Sequence, residues 1–219
     1  EGVVRNVLPD VPCSEAFDPE VLAWRVMRLL PRCLGEEGFE PLKAYLADDG
    51  RGFKRYQLSR IIARLFDQYL VYRPDMMLGW ESDGERHWQA DLWRLLAAES
   101  PGSHRAARWK EALARLQRPV AAEGKLPRRI SVFGISALPP FHLRILAAVA
   151  RTVEVNLFVM NPCREYWYLI YSDREMRRLV DRLGTAPSDE ALHLERGNSL
   201  LASMGALGRD FLRMVYDTG

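Results

Sequence analysis

The residues with the clearest capacity for chemistry lie in the stretch "LFDQYLVYRPD", which runs from Leu65 to Asp75. It begins as an amphipathic helix pattern and ends with Arg73 immediately before Pro74. An arginine is suited to planar, bidentate contacts with phosphate or carboxylate, and a tyrosine ring can stack on a base. Asp67 can accept a hydrogen bond from a base amino group, or it can hold Arg73 in position. Two interpretations are open: a surface that contacts nucleic acid, or a packed helix end with a solvated rim.

Phosphate-binding and nuclease patterns are weak in this sequence. A nucleotide-binding loop needs a Gly-rich turn followed by Lys and then Ser or Thr, whereas "EGKLP" places Leu126 after Lys125. Asp75, Glu123 and Lys125 loosely resemble one nuclease pattern, but such short combinations occur often by chance. We therefore predict neither an ATP site nor a nuclease metal site.

Signals for zinc, thiol and serine chemistry are equally weak. The histidines show no H-x-x-x-H spacing, and the three cysteines form no C-x-x-C pair. Ser136 in "FGISALPP" follows a strand pattern but lacks the G-x-S-x-G elbow of the α/β hydrolases. The sequence thus predicts no catalytic residue, no bound metal and no cofactor for this chain.

The first half of the chain is predicted to be helical. Asp18 stands as N-cap before Pro19, Ser103 is a candidate cap of a later helix, and Pro74 is expected to end the longest helix. Leu65 and Tyr69 fall on the apolar stripe of that helix, and the six tryptophans are expected to lie mainly in the core. The five helix patterns are 18–34, 39–47, 53–72, 87–99 and 103–118.

The second half changes to short β-branched runs. "RISVFGI" and "VEVNLFVM" are strand patterns, and the helix pattern "LPPFHLRILAAVARTV" lies between them. Strand, helix and strand with short connections predict a βαβ unit and therefore a parallel strand pair. Two further helices are predicted, at 172–183 and at 199–216. The expected fold class is α/β, mostly helical, with residues 1–120 forming a helical domain and 121–219 an incomplete α/β domain.

Composition describes a folded chain without a strong charge bias. Hydrophobic residues make up 48% of 219, and 31 basic residues against 29 acidic residues give a net charge of +2. Any nucleic-acid surface must therefore be a local basic patch. The cysteine usage fits a reducing cytosol, and no apolar run approaches the ~20 residues of a membrane helix. The chain starts without methionine, and we expect it to be a piece of a longer protein.

Four stretches of the sequence together resemble the RecC family, the gamma subunit of bacterial exodeoxyribonuclease V. They are "LFDQYLVYRPD", "VFGISALPP", "NPCREYW" and "NSLLASMGALGRDF". The resemblance runs from "VLPDVP" to "GRDF" and covers an N-terminal part of a RecC chain, which is normally far longer. It implies an inactive superfamily-one helicase fold. Residues 1–120 would be the helical insertion (1B-like), and 121–219 an incomplete RecA-like, P-loop helicase-like domain (1A-like).

The resemblance also implies a function. RecC-like proteins are not ATPases; RecB-like and RecD-like partner subunits use ATP and Mg²⁺ and supply motor and nuclease activity. RecC splits the duplex at a fork and guides the 3′-ended single strand through a tunnel where the Chi sequence is recognised in double-strand break repair. The location implied is the bacterial cytoplasm, near the nucleoid. In an active helicase the strand before the crossover helix ends in paired acids that hold magnesium, whereas "RISVFG" is followed by Ile135, Ser136 and Ala137.

Site residues carry over from the family position by position. Leu65, Asp67 and Arg73 are candidates for contact with Chi bases, and Arg105 in "SHRAARW" is another. Arg64 stands where an acid is expected, which questions whether this chain reads the same DNA sequence. Tyr69, Tyr72 and Trp109 are candidate stacking residues. The alternative is a scaffold that docks the motor and nuclease subunits without reading DNA. A groove uniting Arg64, Arg73 and Arg105 would favour DNA reading, and a large exposed apolar patch would favour the scaffold.

Overall fold

The computed structural model divides the chain into two compact units, Glu1–Pro127 and Arg128–Gly219. The sequence placed the boundary a few residues earlier, between 120 and 121. The residues that the structure describes are 15–82, 86–118, 126–162, 164, 167, 170, 172, 174–175, 177–178, 181 and 199–218. The motif "VLPDVP", the "EGK" of the loop at 123–125 and half of the predicted helix 172–183 lie outside them.

The first unit is helical throughout its described residues, as predicted. A short 3₁₀ helix (Glu15–Phe17) precedes six α-helices. These are α1 (Pro19–Cys33), α2 (Glu40–Tyr45), α3 (Phe53–Tyr72), α4 (Pro74–Glu81), α5 (Trp88–Glu99) and α6 (Arg105–Leu116). The bounds of α3 agree with the sequence pattern at both ends.

The junction between α3 and α4 adds a helix that the sequence pattern did not predict. Pro74 does end α3, because the residue before a proline avoids the helical conformation: Arg73 has φ −136° and ψ 50°. The same proline is also the first residue of α4, where its missing N–H costs no hydrogen bond. One proline therefore closes one helix and opens the next.

Trp93 of α5 lies at the centre of the core of the first unit. Its ring packs against Phe17 at 5.4 Å, Phe66 at 5.5 Å and His104 at 5.2 Å between centroids. The prediction that the tryptophans lie mainly in the core holds for Trp80, Trp93, Trp109 and, in the second unit, Trp167. It is wrong for Trp24, whose side chain is 61% exposed on α1.

A carboxylate fastens the end of α5 to α1. Glu99 accepts hydrogen bonds from Arg25 at 3.0 Å and Arg28 at 2.5 Å, while Arg25 also donates to the Leu96 carbonyl at 2.7 Å. Burial raises the pKa of Glu99, but the hydrogen bonds and charges of the two arginines outweigh burial and leave that pKa below its usual value. The carboxylate is therefore ionised down to acidic pH.

The second unit contains the predicted βαβ arrangement. Strand β1 (Arg129–Phe133), helix α7 (Pro140–Ala150) and strand β2 (Glu154–Phe158) follow one another, and the strands pair in parallel. The register runs from Arg129 opposite Glu154 to Phe133 opposite Phe158. Alternate residues of β1 are half-buried while their neighbours are exposed, which is the pattern of a sheet covered on one face.

The C-terminal helix is broken, contrary to the prediction of one helix over 199–216. The structure has α8 (Ser199–Met204) and α9 (Ala206–Thr218), with Gly205 between them. A Cβ at Gly205 would lie 2.9 Å from Cζ3 of Trp167 and closer still to the Leu201 carbonyl oxygen. The backbone therefore approaches the indole so closely that only glycine fits.

Arg209 of α9 is a charged residue that is buried in the core of the second unit. Its Nη2–H donates to Glu175 Oε1 at 2.6 Å, and Nη1–H donates to the carbonyls of Ile170 and Ala202. Burial raises the pKa of Glu175, but hydrogen bonds from Ser172 and the Arg209 charge outweigh it and lower that pKa. A single guanidinium thus joins α8, α9 and the segment around Ile170. Among the described helices, none is both long and apolar enough to cross a membrane.

Candidate nucleic-acid interface

Helices α3 and α6 bring together two of the predicted site residues, Asp67 and Arg105. Arg105 Nη1 lies 3.5 Å from Asp67 Oδ1, although 38 residues separate them in the chain. The side chains are 34% and 29% exposed, so water screens the pair and its net contribution is under ~1 kcal/mol. The pair therefore orients the guanidinium without holding it so strongly that a ligand could not compete.

The backbone under Arg105 is fixed by a buried histidine. His104 caps α6: its Nδ1 accepts a hydrogen bond from the Ala107 N–H at 3.2 Å. Its Nε2 lies 2.7 Å from Glu81 Oε1, and that oxygen accepts a hydrogen bond from Trp93 Nε1–H at 3.2 Å. The expected cap, Ser103, does not have this role, because its hydroxyl donates to the Ser100 carbonyl at 2.8 Å. The first turn of α6, and with it Arg105, is therefore anchored to the core.

Arg73 lies at the junction of α3 and α4 with an exposed side chain. Its N–H donates to the Tyr69 carbonyl at 2.8 Å, and its carbonyl accepts from the Met77 N–H at 3.2 Å. Because each helical residue turns by about 100°, six residues place Arg73 on a different side of α3 from Asp67. The structure fixes the backbone of Arg73 but does not place it in the Asp67–Arg105 pair.

Leu65 and Arg64 have different surroundings. Leu65 is half-buried, which fits its position on the apolar stripe of α3. Arg64 is exposed and lines a groove of about 580 Å³ between α1 and α3. We call this the α1–α3 groove; its lining includes Glu20, Trp24, Tyr56, Arg60 and Arg64. The predicted site residues thus fall in three places: the Asp67–Arg105 pair, the α3–α4 junction and this groove. The expected single groove that unites Arg64, Arg73 and Arg105 is therefore not found, because of these three only Arg64 lines the α1–α3 groove.

The three candidate stacking residues also differ. Tyr72 is 63% exposed. Tyr69 packs edge-on against Trp80 at 5.9 Å, and Trp109 is buried with the Arg105 guanidinium 5.9 Å from its ring centre. Of the three rings, Tyr72 alone offers a free face to a base, while Trp109 supports the arginine.

The groove contains three residues that the sequence reasoning missed: Trp24, Tyr56 and Arg60. A signal for part of the set was present, because Tyr56, Arg60 and Arg64 recur at a spacing of four and therefore form one stripe along α3. Because Trp24 was predicted to lie in the core, the sequence pattern offered no reason to place it beside that stripe. Its exposure depends on the rotation of α1, which the local pattern does not specify.

The remaining chemistry is sparse. A cavity of about 890 Å³ in the first unit is lined by Cys33, His87 and Asp91, among others. Burial, with the nearby carboxylates of Glu36 and Asp91, raises the pKa of the Cys33 thiol, so the reactive thiolate is disfavoured. Within the described part of the chain, no group of three or more Cys, His, Asp or Glu side chains is arranged to hold a metal ion.

Comparison with known proteins identifies the family. The family described as "RecC, N-terminal domain" matches residues 1–218. The chain belongs to the RecC family. A relative from Escherichia coli strain K12, named RecBCD enzyme subunit RecC, is 37% identical over 97% of this chain and 22% of its own length. The relative of the same name from Haemophilus influenzae is 36% identical over 95% of this chain and 24% of its own length.

A more distant member extends the comparison. RecBCD enzyme subunit RecC of Mycolicibacterium smegmatis is 24% identical over 92% of this chain and 18% of its own length. The chain therefore spans about a fifth of the length of the curated RecC relatives it matches. The prediction of the family from the four sequence stretches is confirmed.

Proposed function

We propose that this chain is the N-terminal part of a non-catalytic RecC subunit that works with RecB-like and RecD-like partners in DNA double-strand break repair. Its relatives are named as subunits of the RecBCD enzyme, which supports these partners. In this role the chain guides the 3′-ended single strand from a forked DNA and contributes to recognition of the Chi sequence.

The observation that carries DNA reading is the Asp67–Arg105 pair. A guanidinium that is one-third exposed, oriented by a carboxylate and mounted on an anchored helix start can exchange that carboxylate for the O6 and N7 atoms of guanine. Asp67 is then free to accept from a base amino group. Arg73 contributes a second exposed guanidinium on a fixed backbone.

The inactive-helicase part of the proposal rests on the second unit. Strand β1, α7 and β2 form a parallel crossover, which supports the proposal of a RecA-like domain, and the residues after β1 are Gly134, Ile135, Ser136 and Ala137. None of these side chains is a carboxylate, so this strand end cannot bind Mg²⁺ as an active motor does. ATP and magnesium are accordingly assigned to the partner subunits.

The test uses the whole complex with substitutions at Arg105 and Arg73. Each change to Ala should weaken the Chi response, because a bidentate arginine–guanine contact is worth about 1–3 kcal/mol of discrimination. Unwinding should remain near wild type, because the motors lie in other subunits. The measurement is the yield of Chi-dependent fragments from linear DNA beside the unwinding rate of the same preparation.

Lysine at the same positions is the control. Lysine keeps the positive charge but lacks the planar guanidinium that donates two parallel hydrogen bonds. An arginine that reads a base should therefore tolerate the change poorly, and one that contacts phosphate should tolerate it well. A wild-type Chi response in both Ala variants would remove Arg73 and Arg105 from the recognition site.

A scaffold role is the second candidate, and an exposed apolar surface of the second unit favours it. Phe133 and Phe158 stack at 4.3 Å with their rings 7° from parallel, and they are 65% and 53% exposed. Together with the exposed Met160 they offer an apolar surface next to the strand ends. Replacing Phe158 with Ser should reduce recovery of the RecB-like or RecD-like subunit with the RecC chain if this surface docks a partner. Full recovery would argue against docking there.

A further inference from the structure

The α1–α3 groove combines two aromatic rings with two arginines. Trp24 on α1 and Tyr56 on α3 lie 5.5 Å apart between ring centres, with an interplanar angle of 42°. The Arg60 guanidinium lies 5.8 Å from the centre of the Tyr56 ring. Arg64 lies one turn further along the same stripe of α3 and lines the same groove.

The exposure of Trp24 is difficult to explain by packing alone. Tryptophan is highly buried on average, and removing its large apolar surface from water is favourable. Here most of the indole faces solvent while the opposite side of α1, including Leu22 and Val26, is fully buried. The tryptophan is therefore not part of the face that α1 packs against the core. The solvent-facing side of its ring is available for contact with another molecule.

The charge in the groove favours an anion beside the rings. Within the described residues neither Arg60 nor Arg64 forms an ion pair, so both guanidinium groups are available to a ligand. Glu20 is the one acidic residue of the lining. It lies in the first turn of α1, so it repels a phosphate from that end and directs it toward the arginines on α3.

We propose that the α1–α3 groove binds one unpaired nucleotide of single-stranded DNA, with the base stacked on Trp24 and Tyr56 and the phosphate on Arg60 and Arg64. Aromatic rings beside a basic stripe are the usual means by which proteins hold single strands without reading their sequence. This proposal rests on the proposed DNA-guiding function and deepens it, because it assigns a second contact with the strand away from the Asp67–Arg105 pair.

The test is photocrosslinking in the whole complex on a forked DNA. The 3′-ended strand carries 5-iododeoxyuridine at one position at a time, since this base crosslinks efficiently to an aromatic ring on which it stacks. Peptides joined to DNA are identified by mass spectrometry. We expect a crosslink on Trp24 or Tyr56 at one or two adjacent strand positions.

Variants separate stacking from charge. Trp24→Ala should lower this crosslink about 5- to 150-fold, the range expected when one base loses its stacking partner. Phe53→Ala is the control for loss of an exposed ring, because Phe53 is 67% exposed on α3, the helix of Tyr56, but does not line the groove. Arg60→Ala should lower the crosslink and Arg60→Lys should restore most of it, as expected for a phosphate contact. Equal yields in Trp24→Ala and wild type would overturn the proposal.

The location of the crosslinks tests the groove separately from the DNA-guiding function. Crosslinks confined to other peptides of this chain, such as the one containing Tyr72, would overturn the groove and leave the DNA-guiding function intact. A complex that unwinds DNA without any crosslink in these 219 residues would contradict both. Hydroxyl-radical oxidation of Trp24 gives a second measure: protection only when DNA is added supports the inference, and protection on assembly with the partner subunits alone overturns it.

Discussion

Replacing Gly205 with Ala should destabilise the second unit, although alanine is the better helix former. The added methyl carbon would lie 2.9 Å from Cζ3 of Trp167 and nearer still to the Leu201 carbonyl oxygen. Both neighbours resist movement: the indole is buried and donates a hydrogen bond to Asn161 Oδ1 at 2.8 Å, and the carbonyl accepts the Gly205 N–H at 3.0 Å. Overpacking of this kind costs about 1–3 kcal/mol.

A smaller gain opposes that cost. Substituting Ala for Gly reduces the freedom of the unfolded chain and stabilises by roughly 0.4–1 kcal/mol where the backbone permits it. The net effect expected for Gly205→Ala is therefore a loss of about 1–2 kcal/mol. Gly208→Ala is the matched control: its methyl carbon would lie 3.6 Å from Cη2 of Trp167, an ordinary contact. Because Gly208 lies within α9, this control should stabilise by up to about 1 kcal/mol.

The assay is urea denaturation of the 219-residue chain labelled with 5-fluorotryptophan and followed by ¹⁹F NMR. Trp167 is the one tryptophan between residues 128 and 219, so its resonance reports the second unit alone. A Trp167→Phe variant assigns that resonance. The reasoning is refuted if Gly205→Ala raises the urea midpoint for Trp167 as Gly208→Ala does, because the close approach would then have no energetic consequence.

Three further predictions concern two buried polar residues and one partly exposed carboxylate. Arg209→Met should cost the second unit about 2–4 kcal/mol in the same urea assay, because it removes the guanidinium that donates to Glu175 Oε1 and to two carbonyls; a change under 0.5 kcal/mol would contradict this. His104→Ala should lower the free energy of unfolding of the first unit by about 2–3 kcal/mol, and His104→Asn should recover about 1 kcal/mol, since Asn restores the cap but not the Glu81 contact. The folded pKa of Glu99 is lowered, so its contribution is present above the unfolded value of about 4.3 and is lost as the pH falls through the folded value. Glu99→Gln should therefore show a smaller fall in stability than wild type between about pH 5 and 3 when thermal unfolding is followed by circular dichroism.

The sequence by itself determined the elements whose causes are local. The bounds of α3 follow from a long apolar stripe of helical period and from the proline that closes it. The parallel pair of β1 and β2 follows from two short β-branched runs joined by a helix, because such a crossover returns the chain in the same direction. The family follows from long stretches in which the identity and the order of the residues match, and such stretches carry far more information than a short motif.

Tertiary structure decided the features that depend on residues far apart in the chain. The break at Gly205 depends on Trp167, 38 positions earlier, and His104, the cap of α6, has Glu81 of α4 at 2.7 Å from its Nε2. The same holds for the site: the partner of Arg105 is Asp67 rather than a residue beside it, and Trp24 meets Tyr56 because α1 packs along α3. Helical periodicity specifies which residues share a face of one helix, but the rotation of that helix against its neighbours is set by the close packing of the whole core. A contact between helices is therefore fixed only when the core has formed.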